Sequence, residues 1–143
     1  MLLPQNPKVV VIDDHFEEVE NIIKVFSKRC IPFIYLDGKR DNDPEQFQPS
    51  VRLIVLDIDL EERTSGQNEK NKISTLTNYI SKIITEENQL YYIVFWTKNP
   101  NLIQEIIANL RKLRKDPIGY SDWEKSETLS NFDIAFLELE LSN

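Results

Sequence analysis

Three apolar runs in this chain end in residues able to do chemistry. VVVI at 9–12 leads into Asp13 and Asp14. LIVL at 53–56 leads into Asp57, with Asp59 two positions on, and YIVFW at 92–96 leads into Thr97. Carboxylates gathered in one crevice repel, and at neutral pH they need a cation or a raised pKa. Oxygen-only ligands favour Mg2+, which keeps some of its waters and takes only a few carboxylates. A carboxylate beside such an ion can attack a phosphoryl group, because the ion screens two anions that otherwise repel.

Those residues meet only if the elements carrying them share one edge. Lys8–Asp13 (KVVVID) reads as a buried strand. Over Glu17–Lys28, Val19, Ile22, Ile23 and Phe26 fall on one helical face and leave the glutamates to solvent. Pro32–Leu36 is a second strand, closed by a turn at Asp37-Gly38. Lys39–Ser50, with Pro44 and Pro49, has room for one short helix at most. Val51–Asp57 is the strongest strand signal. Glu61–Lys72 contains no large apolar residue and is expected to be a loop or mobile insertion. Ile73, Leu76, Ile80, Ile83 and Ile84 resume a helical stripe, and Tyr91–Thr97 is another strand.

Asn99-Pro100 then reads as a cap followed by proline at the first helical position. That helix runs through Leu102, Ile103, Ile106, Ile107, Leu110 and Leu113, and Arg111, Lys112, Arg114 and Lys115 complement its dipole. Ile118–Glu124 is a weaker strand, interrupted by Ser121 and Asp122. Thr128–Leu141 suits a helix, although its last six residues alternate like a strand. Alternating strands and helices, with strands apolar on both faces, predict a doubly wound α/β fold. Its sheet is parallel and five-stranded, with helices on both faces and ligands at the carboxyl ends of the strands.

The 143 residues (16.8 kDa) carry 41% apolar and 29% charged side chains, enough for one domain with its own core. Seventeen basic against twenty-four acidic residues give a net charge of −7, which disfavours a broad nucleic-acid surface. The single Cys30 excludes an internal disulfide framework and a cysteine-clustered zinc site, and the single His15 a multi-histidine centre. Cys30 is expected to be a small buried residue at a helix end. His15 is expected to face solvent at the start of the first helix, and Trp96 and Trp123 to serve packing. The sequence has neither a membrane-length apolar run nor the apolar stretch of a signal peptide, and a cytoplasmic protein is the default expectation. With three glycines, nucleotide-binding fingerprints are absent.

The segments VVVIDD, LIVLD and IVFWT, in that order, make the chain similar to the response-regulator receiver domain of two-component signalling. The resemblance spans most of residues 1–143, taken as one receiver-like (flavodoxin-like) domain of a kind that serves as the N-terminal module of longer proteins. It implies that Asp57 accepts a phosphoryl group from a histidine kinase or phosphotransfer partner. It implies that Asp13, Asp14 and Asp57 hold Mg2+, with the main-chain carbonyl of Asp59 as a further ligand. Thr97 and Lys125 would then meet phosphoryl oxygens and repack the far side of the domain, biasing an output domain or a homodimer. Such a domain is a signalling module, an enzyme only toward its own phosphorylation and dephosphorylation, with no role in binding nucleic acid or membrane.

The sequence departs from the family in several places. Lys125 is followed by Ser126 where receivers have proline. Asp122 stands where the switch aromatic belongs, near Tyr120 and Trp123. Leu60–Gly66 replaces a proline-containing turn, and Lys98 follows Thr97 where a small residue is usual. Two other readings stay open. One is a phospho-independent pseudo-receiver whose acids simply cap helices. The other is a haloacid-dehalogenase-type phosphatase built on Asp57-Ile-Asp59, against which stand the early position of Asp13-Asp14 and the short chain.

Overall fold

Alternating side chains on each strand decide how the sheet is covered. The computed structural model describes residues 6–97, 100–123 and 139. Strands β1 (Val9–Ile12), β2 (Phe33–Leu36), β3 (Leu53–Asp57), β4 (Tyr92–Trp96) and β5 (Gly119–Trp123) form one parallel sheet in the order β2-β1-β3-β4-β5. Val10, Ile12, Ile54, Leu56, Ile93 and Phe95 point to one face, and Val9, Val11, Leu53, Val55, Val94 and Trp96 to the other. This is the period-two rule acting on strands with no polar side, so both faces must be covered.

Helix α1 (Phe16–Lys28) covers one face with Val19, Ile22 and Phe26. On the other, α3 (Glu69–Ile83) and α4 (Ile103–Lys112) bring Leu76, Tyr79, Ile80, Ile83, Ile103, Ile106 and Leu110 into a continuous core. The doubly wound five-stranded fold expected from the sequence is therefore present.

Two expectations are corrected. Glu61–Lys72 is not a loop. It contains α2 (Glu61–Thr64) and, after a short turn, the first turn of α3. Polar chemistry replaces the missing apolar stripe there. Arg63 is buried with its Nε on the Gly38 carbonyl (2.9 Å) and Nη2 on Asp43 Oδ1 (2.6 Å), and its guanidinium stacks 3.6 Å from the centre of the Tyr79 ring. Asn68 caps α3 by accepting from the Asn71 N–H. Cys30, expected to be buried, is exposed. It occupies the left-handed position that ends α1 (φ 55°), with Ile31 N–H donating to Phe26 O and Cys30 N–H to Ser27 O. A residue turning the chain in this way points its side chain outward.

The helix expected from Asn99-Pro100 begins with a 3-10 turn, Pro100–Leu102, before α4. Lys98, Asn99, Lys125, Ser126 and the helix expected over 128–141 lie outside the described residues, Leu139 excepted. The interrupted strand at 118–124 does form as β5. Its half-exposed residues suit an edge position, and Ser121 Oγ accepts a hydrogen bond from the Tyr92 hydroxyl at 3.0 Å.

Candidate functional site: an acidic crevice at the carboxyl ends of the strands

Strand register brings the acids together. Ile12 is level with Leu36 and Leu56, and Asp57 with Trp96. Asp13 therefore leaves β1 beside the end of β3, and Thr97 lies one position beyond the partner of Asp57. Asp13, Asp57 and Thr97 are buried, and one carboxylate oxygen from each of Asp13, Asp14 and Asp57 lies within 4.8 Å of the others.

Local backbone bonds set these side chains. Asp13 Oδ1 accepts the His15 N–H (2.8 Å), and Asp57 Oδ1 accepts the Asp59 N–H (2.9 Å). Asp37, just after β2, does the same for Lys39 (3.0 Å). Each is the i to i+2 Asx arrangement, which turns the chain out of a strand and fixes a carboxylate at its tip. Asp14 Oδ2 accepts the N–H of Glu61 (3.1 Å) at the start of α2, while its Oδ1 is buried without a hydrogen-bond partner. The Tyr35 hydroxyl donates to the Asp13 carbonyl (2.5 Å). Burial first, then the carboxylates of Asp13, Asp37 and Asp14, push its pKa up to about 12.

Asp59 stands apart from this group. Its carboxylate is over a third exposed and pairs with Lys72 Nζ at 3.3 Å. His15 faces solvent as expected, within 3.9 Å of Asp14 and 3.7 Å of Glu61. The Asp14 carboxylate holds its imidazole above the usual range against the opposing effect of desolvation, with lesser help from Glu18, Glu17 and Glu61.

No protein-family model matches the chain, and no curated protein matches it. Solved structures do. The signal receiver domain of a LuxO repressor protein from Vibrio parahaemolyticus superposes with a TM-score of 0.54 at 12% identity, over 96% of this chain and 91% of that one. The chain has the receiver-domain fold. NtrX from Brucella abortus superposes with a TM-score of 0.51 at 18% identity, over 94% of this chain, which spans 26% of that larger protein.

On a receiver fold the acidic crevice occupies the ligand-binding edge of a sheet ordered 2-1-3-4-5. Thr97 sits on the same edge, its N–H donating to Trp123 O at 3.2 Å. Around Asp122 the chain differs from the receiver pattern that its sequence resembles. Asp122 is exposed on β5, and two residues earlier Tyr120 lies on the same face of the strand. Tyr120 meets Phe95 edge to face (6.3 Å between ring centres) and accepts a hydrogen bond from Gln104 Nε2 at 2.8 Å.

Tyr35, Glu61, Arg63 and Lys72 escaped the reading of the sequence. Each acts through a neighbour distant in the chain, and none stands in a motif. Asn68 followed by Glu69 was a readable helix start, masked by the absence of apolar residues before Ile73.

Proposed function

We propose that this domain is a phosphoacceptor, taking a phosphoryl group onto Asp57 from a histidine kinase or phosphotransfer partner. The observation supporting this is the convergence of Asp13, Asp14 and Asp57 within 4.8 Å at the strand-end edge of a receiver fold. The donor set is all oxygen, and Asp14 offers a buried oxygen that no hydrogen bond occupies, which fits Mg2+. Asp13, Asp14 and Asp57 would hold the ion, together with the main-chain carbonyl of Asp59. When bound, it supplies the charge that lets an anionic nucleophile approach an anionic phosphoryl group.

The remaining chemistry belongs to the chain. The Asp59 N–H fixes the Asp57 carboxylate through Oδ1. A carboxylate oxygen of Asp57 attacks phosphorus, a new O–P bond forms, and the P–N bond of the donor phosphohistidine breaks. The bonding pair leaves with the imidazole nitrogen, which takes up a proton. Thr97, buried beside this edge, would donate its hydroxyl to a phosphoryl oxygen, and Lys125 would pair with another. The domain is then a signalling module in a phosphorelay, whose own chemistry is the gain and loss of that group. An output domain or a second copy would read it.

Amide NMR spectra recorded with Mg2+ and then beryllofluoride test the reading. Shifts should centre on residues 13–15, 57–61 and 97, and Asp57→Asn should abolish the beryllofluoride response. Spectra unchanged by both additions would instead assign the domain to phospho-independent docking.

A further inference from the structure

Lys72 breaks a local rule. It lies in the first turn of α3, its N–H donating to Asn68 O at 2.9 Å, where the helix dipole disfavours a cation. Local violations of this kind gather at functional sites. Its side chain is three-quarters buried, and its ammonium pairs with Asp59 Oδ1 at 3.3 Å. Both residues line a groove of about 430 Å³ that also takes in Glu61, Thr64 and Gln67. Among the described residues lining that groove, Lys72 alone is cationic. The groove adjoins the acidic crevice, because the residue bonded to Asp57 Oδ1 through its N–H is Asp59 itself.

We infer that Lys72 is a phosphoryl-binding cation, held by Asp59 in the resting domain and released to an oxygen of the phosphoryl group on Asp57. This rests on the phosphoacceptor reading and adds to it a residue that no resemblance supplied. The exchange is physically modest. A partly exposed lysine–aspartate pair is weakly held and screened by solvent. A phosphoryl group carries more charge than one carboxylate and three acceptor oxygens, and charge-assisted bonds to such groups are stronger. The ammonium sits on a flexible four-carbon stem, which suits it to a change of partner. In this account Asp59 restrains the lysine before phosphorylation and competes for it afterwards.

The test is the affinity of the whole chain for beryllofluoride in excess Mg2+, followed by tryptophan fluorescence, with thermal midpoints confirming that each variant is folded. Lys72→Met should weaken binding roughly tenfold, and Lys72→Arg should stay within about threefold of wild type. Asp59→Asn should tighten binding about threefold, because it frees the ammonium. Lys70→Met, on the exposed side of the same helical turn, removes the same charge and should leave the affinity unchanged. A purely structural Lys72–Asp59 pair would make Lys72→Met and Asp59→Asn weaken binding alike, which overturns the inference. Wild-type affinity in Lys72→Met, or an equal loss in Lys70→Met, overturns it too. If the wild-type chain binds no beryllofluoride, the phosphoacceptor reading fails first and this inference fails with it.

Discussion

Each of the three clustered acids accepts a backbone N–H, so its carboxylate is oriented before any ligand arrives. The crevice thus has a preset donor geometry, which lowers the cost of ordering it around a cation or phosphoryl group. Tyr35 contributes from beneath, through its bond to the Asp13 carbonyl. Its phenol is held up to about 12 from 10.0, so the folded state keeps this proton more tightly than the unfolded chain. The stability linked to that shift is present below pH 10.0 and is lost as pH rises through about 12. Urea titrations of wild type and Tyr35→Phe should differ by about 1 kcal/mol near neutral pH, the worth of one hydrogen bond. The difference should close above the raised pKa. A difference that stays constant across that range would remove Tyr35 from the support of the site.

At the scale of elements, the regular strands and long helices were legible because their apolar residues recur with clear periods. The stripe Ile73, Leu76, Ile80 and Ile83 placed α3, and the runs ending at Asp13, Asp57 and Thr97 placed the carboxyl edge of the sheet. The segment between Asp57 and α3 was not legible, because α2 is held by one buried cation and not by an apolar face. Arg63 ties α2 to Asp43 and to the carbonyl of Gly38. Gly38 itself has φ 80° and no room for a Cβ, which would lie 2.9 Å from the Leu60 side chain. The first residue of α2, Glu61, gives its N–H to Asp14, so this anchor bears directly on the crevice. Arg63→Ala leaves the Asp43 carboxylate buried with only the more exposed Lys82 at 3.6 Å, and should cost about 3–5 kcal/mol in chemical denaturation. Lys82→Ala, removing that outer partner, should cost less than about 1 kcal/mol. Equal effects of the two substitutions would contradict this account of α2. Cys30 was misread for a related reason. Its type suggested burial, whereas the left-handed turn ending α1 put it outside.

For the whole molecule, composition and strand order point the same way. A parallel sheet ordered β2-β1-β3-β4-β5 gathers chemistry at one edge, and the chain places acids there from β1 and β3 and a hydroxyl after β4. Under the proposed function, the net charge of −7 would favour a phosphodonor partner that presents basic residues around its histidine. No helix of the described residues is long and apolar enough to cross a membrane. The central claim is that Asp57 is the nucleophile of this edge. Intact mass after incubation with acetyl phosphate and Mg2+ tests it most directly, in wild type, Asp57→Asn and Asp59→Asn. The account predicts one added phosphoryl group in wild type and in Asp59→Asn, and none in Asp57→Asn. An added group that survives Asp57→Asn, or one lost in Asp59→Asn together with turnover of a small phosphoester in wild type, would contradict it.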